Sequence, residues 1–280
     1  MHAALGFEPP EDGRPLDVLP IDELSFASHL APWDGKPVSV YGEWLPGTVL
    51  NFSESRPTYL LASTYRDAWE PRMRELLMAR LEAVAERAHA AGATIEDPNV
   101  VIKETPTSHG ADRVMGLVPE SRAIVLIRDP RDVVDSLLSA FRPGGFMAEQ
   151  FGVSYSEDSR IEAVRWASKQ WAMSIDVSMH ALEAHDPDLG MTVRYEDLME
   201  ATVEHLAAIL GWIGIDRSSS QVDDAVAGTA FRSLPSEKVG ELKRERKAQP
   251  GHWREILTEA EVEAILEIAG DRLERFGYAA

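Results

Sequence analysis

Short β-branched runs alternate along this chain with longer helical patterns, and that alternation restricts the fold more than any other feature. The runs are Val38–Tyr41, Val100–Lys103, Ala123–Ile127 and Met191–Arg194. Between and after them, the spacing predicts helices over residues 68–91, 110–118, 130–141, 158–185, 200–213, 220–228 and 259–276. A strand followed by a helix before the next strand pairs in parallel, with helices covering the sheet faces. The expectation is an α/β fold, a single domain with a central parallel sheet flanked by helices, over residues 37–280. Residues 1–36 are rich in Pro, Gly and Asp without a sustained period and are expected to form an irregular N-terminal arm. Three- and four-residue spacing assigns Leu76, Leu77, Leu81 and Val84, and Trp166 and Trp171 further on, to buried helix faces. His180 and His185 are read as surface or structural residues.

Composition removes several classes of function. The 280 residues carry a formal charge of −19, so the mean field repels polyanions and nucleic acid is not expected as a partner. Zero cysteines exclude disulfides, a thiolate zinc site and a cysteine nucleophile. No His and acidic cluster has metal-ligand spacing, and no metal is expected. The apolar run Ala123–Ile127 is far short of the ~20 residues that cross a bilayer. The N-terminus carries Glu8, Glu11 and Asp12 where a secretory signal would have a basic flank, so a cytoplasmic location without a membrane span is expected.

In so acidic a chain an anionic ligand needs a local basic site, and two segments offer one. The first is Arg122 to Ser136, which reads as a buried parallel strand, a turn, and a helix started by Asp129 as N-cap with Pro130 behind it. Arg128 then stands at the carboxyl end of a strand, where open α/β sheets bind ligands. Ser136 can offer a hydroxyl from the helix to the same anion. The competing reading is a helix-start ion pair among Arg128, Asp129, Arg131 and Asp132. The second segment, residues 238–254, holds Lys238, Lys243, Arg244, Arg246, Lys247 and Arg254 around a Pro250-Gly251 turn and Trp253. Its first half could equally be a solvated helix face with Glu241 and Glu245; the turn and tryptophan suit a loop that cradles a phosphate.

Arg128-Asp129-Pro130-Arg131-Asp132-Val133-Val134-Asp135-Ser136 resembles the 3′-phosphate-binding motif of sulfotransferases that use 3′-phosphoadenosine 5′-phosphosulfate (PAPS). Arg246-Lys247-Ala248-Gln249-Pro250-Gly251-His252-Trp253-Arg254 resembles the same family's C-terminal phosphate loop, with Ala248 for glycine and Arg254 for lysine. Val193 to Leu198 resembles its strand ending in Tyr-Glu-Asp, with Tyr195 facing adenine, and Arg275 to Tyr278 fits its final helix. Thr229-Ala230-Phe231 resembles a segment whose phenylalanine contacts adenine, although Phe231 could be core. The resemblance implies a P-loop nucleotide-kinase-like sulfotransferase fold, PAPS as co-substrate and a cofactor site of Gly47, Thr48, Arg128, Ser136, Tyr195, Thr229, Phe231, Arg246, Lys247, Gly251 and Trp253.

The 5′-phosphosulfate loop is where the match is atypical. Val40 to Leu50 supplies Gly42, Gly47 and Thr48 by spacing, but Leu45 stands for a basic residue and Pro46 for serine. That loop is therefore degenerate, displaced with Arg66 as a substitute cation, or absent, and Gly47 and Thr48 could form a plain turn. Val101 to Pro106 resembles the family strand that ends in Lys-Thr-His, placing Lys103 on the family lysine. Thr105 falls where many members have histidine, so Glu104 or His109 would act as base. The implied reaction is in-line displacement at sulfur, moving a sulfuryl group from PAPS to a hydroxyl of a small-molecule, glycan or lipid acceptor. Residues 141–147 would line the acceptor site as a Gly-rich lid, or form a simple surface loop. The alternative is a noncatalytic homologue that binds the bisphosphate; an ATP-dependent kinase is disfavoured because no Gly-x-x-x-x-Gly-Lys-Ser/Thr loop occurs. A homodimer is compatible with the sequence and not required by it.

Overall fold

The computed structural model describes residues 18–21, 65–90, 99–102, 111–215, 217–229 and 250–279. Its order is β1 (Val18–Ile21), α1 (Arg66–Ala90), β2 (Asn99–Ile102), α2 (Ala111–Leu117), β3 (Ala123–Ile127), α3 (Pro130–Phe141), α4 (Phe146–Phe151) and α5 (Arg160–Ala184). β4 (Gly190–Arg194), α6 (Tyr195–Glu200), α7 (Thr202–Ile213), α8 (Ser219–Thr229), α9 (Trp253–Ile256) and α10 (Glu259–Arg275) follow. The architecture is helix-rich α/β with a parallel strand pair, as expected. β1 runs parallel to β2 in the register Val18 to Asn99 through Ile21 to Ile102. This strand falls within residues 1–36, of which only residues 18–21 are described. The run Val38–Tyr41 lies outside the described residues. Among the described residues no helix is long and apolar enough to cross a membrane.

The chain divides into two units. The first comprises residues 1–123 and 176–189. Here α1 buries Leu77, Val84 and Ala88, with Leu81 half-buried between them. Leu77 packs with Leu117 and Val118 of the α2 segment, and Val84 and Ala88 pack with Val100 and Ile102 of β2. Leu76 is 63% exposed, which corrects its assignment to the core. A residue adjacent to Leu77 lies about 100° around the helix, and the apolar stripe of α1 is too narrow to take both. Arg74 donates to the carbonyl oxygen of Leu117 and to Glu120, and His185 Nε2 lies 2.8 Å from Ser121 O, a structural role as anticipated.

The second unit comprises residues 124–175 and 190–280. β3 pairs with β4, and Ile127 and Val193 are buried. Ile124 and Leu126 are exposed, so β3 is an alternating strand and not the fully buried one its apolar run predicts. The core is built from Val134 and Leu138 of α3, Val164 and Trp171 of α5, and Ile265, Ala269 and Leu273 of α10. Trp166 is only half-buried and meets Phe141 edge to face at 5.5 Å. α10 starts at a capping box in which Thr258 and Glu261 bond each other's backbone N–H, and Glu261 also takes the Arg160 Nε–H at 2.6 Å.

Candidate functional site

β3 delivers Arg128 at its carboxyl end, and Asp129 turns the chain into α3. The Asp129 carboxylate accepts the Arg131 backbone N–H at 2.9 Å, and Pro130 occupies the first helical position, where no donor is needed. Arg131 folds back onto the same carboxylate through Nε and Nη2, at 2.9 and 2.8 Å, and Nη2 also reaches Ala279 O at 2.8 Å. Arg131 and Asp129 thus form the helix-start ion pair. Arg128 makes a looser ion pair of its own with Asp132. Its Nη2 is 3.9 Å from Asp132 Oδ2, beyond hydrogen-bond reach, and its guanidinium stands 4.7 Å over the Tyr195 ring. Arg128 Nε is buried and has no hydrogen-bond partner.

The acidic residues of α3 fasten the C-terminal turn to this corner. Asp132 is 1% exposed and accepts two backbone N–H groups, from Gly251 at 2.7 Å and from Trp253 at 3.1 Å. One turn along, buried Asp135 faces His252 Nδ1 at 3.1 Å. Gly251 has φ +81°, and an added Cβ would sit 2.5 Å from Arg254 Nη1, so the turn needs glycine there. The Trp253 ring carries the Arg131 guanidinium at 4.2 Å and that of Arg254 at 4.5 Å, while its Nε1 is buried without a partner.

A second network holds the backbone of the corner. Glu196 accepts the Asp129 N–H at 3.0 Å on one carboxylate oxygen and the Tyr278 hydroxyl at 2.6 Å on the other. Trp171 Nε1 donates to Arg128 O at 3.1 Å. Burial raises the Tyr278 phenol well above its ordinary value, and its bond to Glu196 acts in the same direction. Burial likewise raises Tyr195, against the opposing charge of Arg128.

The structure therefore brings Arg128, Tyr195, Gly251 and Trp253 to one corner. Ser136 is exposed, one turn beyond Asp132 on the same side of α3, and Thr229 is the last residue of α8. Gly47, Thr48, Lys103, Glu104, His109, Phe231, Arg246 and Lys247 lie outside the described residues. Arg66, the substitute cation, opens α1 in an exposed ion pair with Glu70 at 3.8 Å. The Gly-rich segment 141–147 is a tight turn running into α4: Gly145 donates to Arg142 O at 2.8 Å and packs against the last carbonyls of α3. Sequence reasoning missed the roles of Asp132, Asp135, Glu196 and Tyr278. One signal was available, because Asp132 and Asp135 share the buried side of α3 with Val134 and Leu138, and carboxylates are rarely buried unless paired. A cleft of about 430 Å³ beside α7 and α8, lined by Leu210, Ile215, Arg217 and Val222 among others, includes none of the expected site residues.

A family model described as the sulfotransferase family matches residues 44–219, well over half of the chain. The chain belongs to the sulfotransferase family. Among solved structures, this sulfotransferase is similar to a mouse sulfotransferase complexed with PAP, at 15% identity and TM-score 0.47, covering 65% of this chain and 68% of the other. It is also similar to retinol dehydratase in complex with androsterone and inactive cofactor PAP, at 17% identity and TM-score 0.46, covering 71% of this chain and 61% of that one. A third similarity is to a sulfotransferase domain from the curacin biosynthetic pathway, at 18% identity and TM-score 0.45, with 74% and 68% covered. No curated protein matches the sequence.

Proposed function

We propose that this sulfotransferase moves a sulfuryl group from PAPS to a hydroxyl of a small-molecule, glycan or lipid acceptor, with the Arg128 corner as its 3′-phosphate site. The observation that carries this reading is a guanidinium fixed at the end of β3 with donors to spare: Arg128 Nε is buried and unpartnered, and the nearest carboxylate is too far to take a hydrogen bond. A buried donor without an acceptor is unfavourable by about 1–3 kcal/mol, and a phosphate oxygen would remove that penalty. Trp253 Nε1, on the turn fastened to the same helix, is a second such donor. Arg254 adds positive charge beside it.

When bound, PAPS would supply the activated sulfuryl group, with adenosine 3′,5′-bisphosphate as its leaving group. Arg128 and the 251–253 turn would hold the 3′-phosphate, Ser136 would add a hydroxyl, and Tyr195 would keep the guanidinium in place from its ring face. Lys103, with Glu104 or His109 as base, remains our assignment for the reacting end, from the family resemblance. The test is calorimetric titration of the purified chain with adenosine 3′,5′-bisphosphate, with AMP and ATP as controls and no magnesium, followed by an assay for sulfate transfer. Binding that requires the 3′-phosphate supports the site, and turnover separates the enzyme from a noncatalytic bisphosphate-binding homologue. Equal affinity for AMP and the bisphosphate would refute it.

A further inference from the structure

We propose that Glu196 and Tyr278 are positioning residues for Arg128, so that the C-terminal end of the chain sets the discrimination for a 3′-phosphate. This rests on the reading of Arg128 as the phosphate ligand. Arg128 makes no hydrogen bond through its own guanidinium to any described residue, so its aim depends on its backbone, on the ring it stands over and on the 3.9 Å ion pair with Asp132. The backbone is held by side-chain hydrogen bonds at two successive residues, Arg128 and Asp129, and a third side chain approaches Ile127. Tyr278 Oη lies 3.4 Å from Ile127 O, Trp171 Nε1 donates to Arg128 O, and Glu196 takes the Asp129 N–H.

Glu196 is the centre of this arrangement. The Tyr278 hydroxyl has one proton, and the 2.6 Å contact to Glu196 claims it ahead of the 3.4 Å contact to Ile127 O. The carboxylate thus receives one donor on each oxygen and joins the C-terminal segment to the β3–α3 turn. Glu196 is also the chain neighbour of Tyr195, so fixing one places the ring under the guanidinium. Arg194 stacks on the other participant, 4.5 Å from the Tyr278 ring centre, and Arg131 holds Ala279 O. A phosphate contact depends on such fixed placement, because a displaced donor loses the charge-assisted bond and not merely some of its strength.

The test is the ratio of affinities for adenosine 3′,5′-bisphosphate and AMP, measured by calorimetry on the full chain. Glu196→Ala is expected to lower that ratio by about tenfold, the scale seen when a partner that orients a binding group is removed, while AMP affinity stays unchanged. Glu196→Gln should restore it, since its Oε1 can accept from Asp129 N–H and its amide can donate to Tyr278 Oη. Tyr278→Phe should fall in between, and it carries the test should Glu196→Ala fail to fold. A ratio preserved in Glu196→Ala or Tyr278→Phe, a loss of both nucleotides together, or a Gln variant as poor as Ala would overturn the positioning role. A wild-type chain that does not distinguish the two nucleotides would instead overturn the phosphate reading, and this inference with it.

Discussion

Asp132→Asn perturbs the corner with almost no change in volume. Asp132 is buried and uses one oxygen for the Gly251 N–H at 2.7 Å and the other for the Trp253 N–H at 3.1 Å. Asparagine has a single carbonyl oxygen, so its amide must point donors at one of those N–H groups. One buried N–H is then left unsatisfied, at about 1–3 kcal/mol, and the surviving bond loses its charge assistance, at about 0.5–1 kcal/mol. The sum is roughly 2–4 kcal/mol, concentrated on the 250–254 turn. The Arg128 contact adds little, because at 3.9 Å it is an ion pair without a hydrogen bond. If that energy is lost as local opening, the Gly251 and Trp253 amides should exchange with solvent about 30- to 700-fold faster, at 1.4 kcal/mol per decade. Hydrogen exchange read residue by residue is the assay, with affinity for the bisphosphate measured alongside. Unchanged exchange at both amides would show that Asp132 does not hold the turn.

Arg128→Ala should weaken binding of adenosine 3′,5′-bisphosphate by about 1.5–3 kcal/mol, the range for a hydrogen bond to a charged group, and unaltered calorimetric affinity would count against the site. Gly145→Ala should destabilise the protein by about 1–3 kcal/mol through overpacking, because the new Cβ would lie 2.4 Å from Ala140 O and 2.6 Å from Ser139 O, while φ −70° is itself acceptable to alanine. An unchanged urea midpoint would refute that clash. For Glu261, burial alone would raise the carboxyl, but the Arg160 bond and the Thr258 N–H and hydroxyl outweigh it and leave it below its ordinary value of 4.5. A lowered folded-state value means stabilisation that is present above the unfolded value and lost as pH falls through the folded one. Glu261→Gln should therefore be less stable than wild type at neutral pH, with the gap closing below pH 4.5, and a pH-independent gap in thermal melts would contradict this.

Helix starts were legible because they are written in neighbouring residues. Asp129 before Pro130 marks α3, a signal that acts within one turn of chain. The expected ranges 130–141, 220–228 and 259–276 fall within a residue of α3, α8 and α10 at each end. Short helices α4, α6 and α9 were not read, since four to six residues show no full amphipathic period. Leu76 misled because adjacent leucines satisfy the same spacing rule, and only packing selects one. β3 misled in the opposite way: five apolar residues predict burial on both faces, yet Ile124 and Leu126 are exposed.

Local sequence determined that Arg128 ends a strand, that Asp129 and Pro130 begin a helix, and that a Pro-Gly turn with tryptophan follows a basic stretch. It also carried the family, because phosphate recognition needs particular donors at close spacing. The tertiary structure alone decided which cation is spent. Arg131 is taken up by Asp129 and Ala279, while Arg128, three residues earlier in the same motif, keeps an unpartnered donor. It also decided that Asp132 serves Gly251 and that Glu196 serves Tyr278, pairs far apart in sequence. Periodicity states which side of an element is buried, but a hydrogen bond's partner is set by where distant backbone is brought, and that information is spread over the whole packed unit.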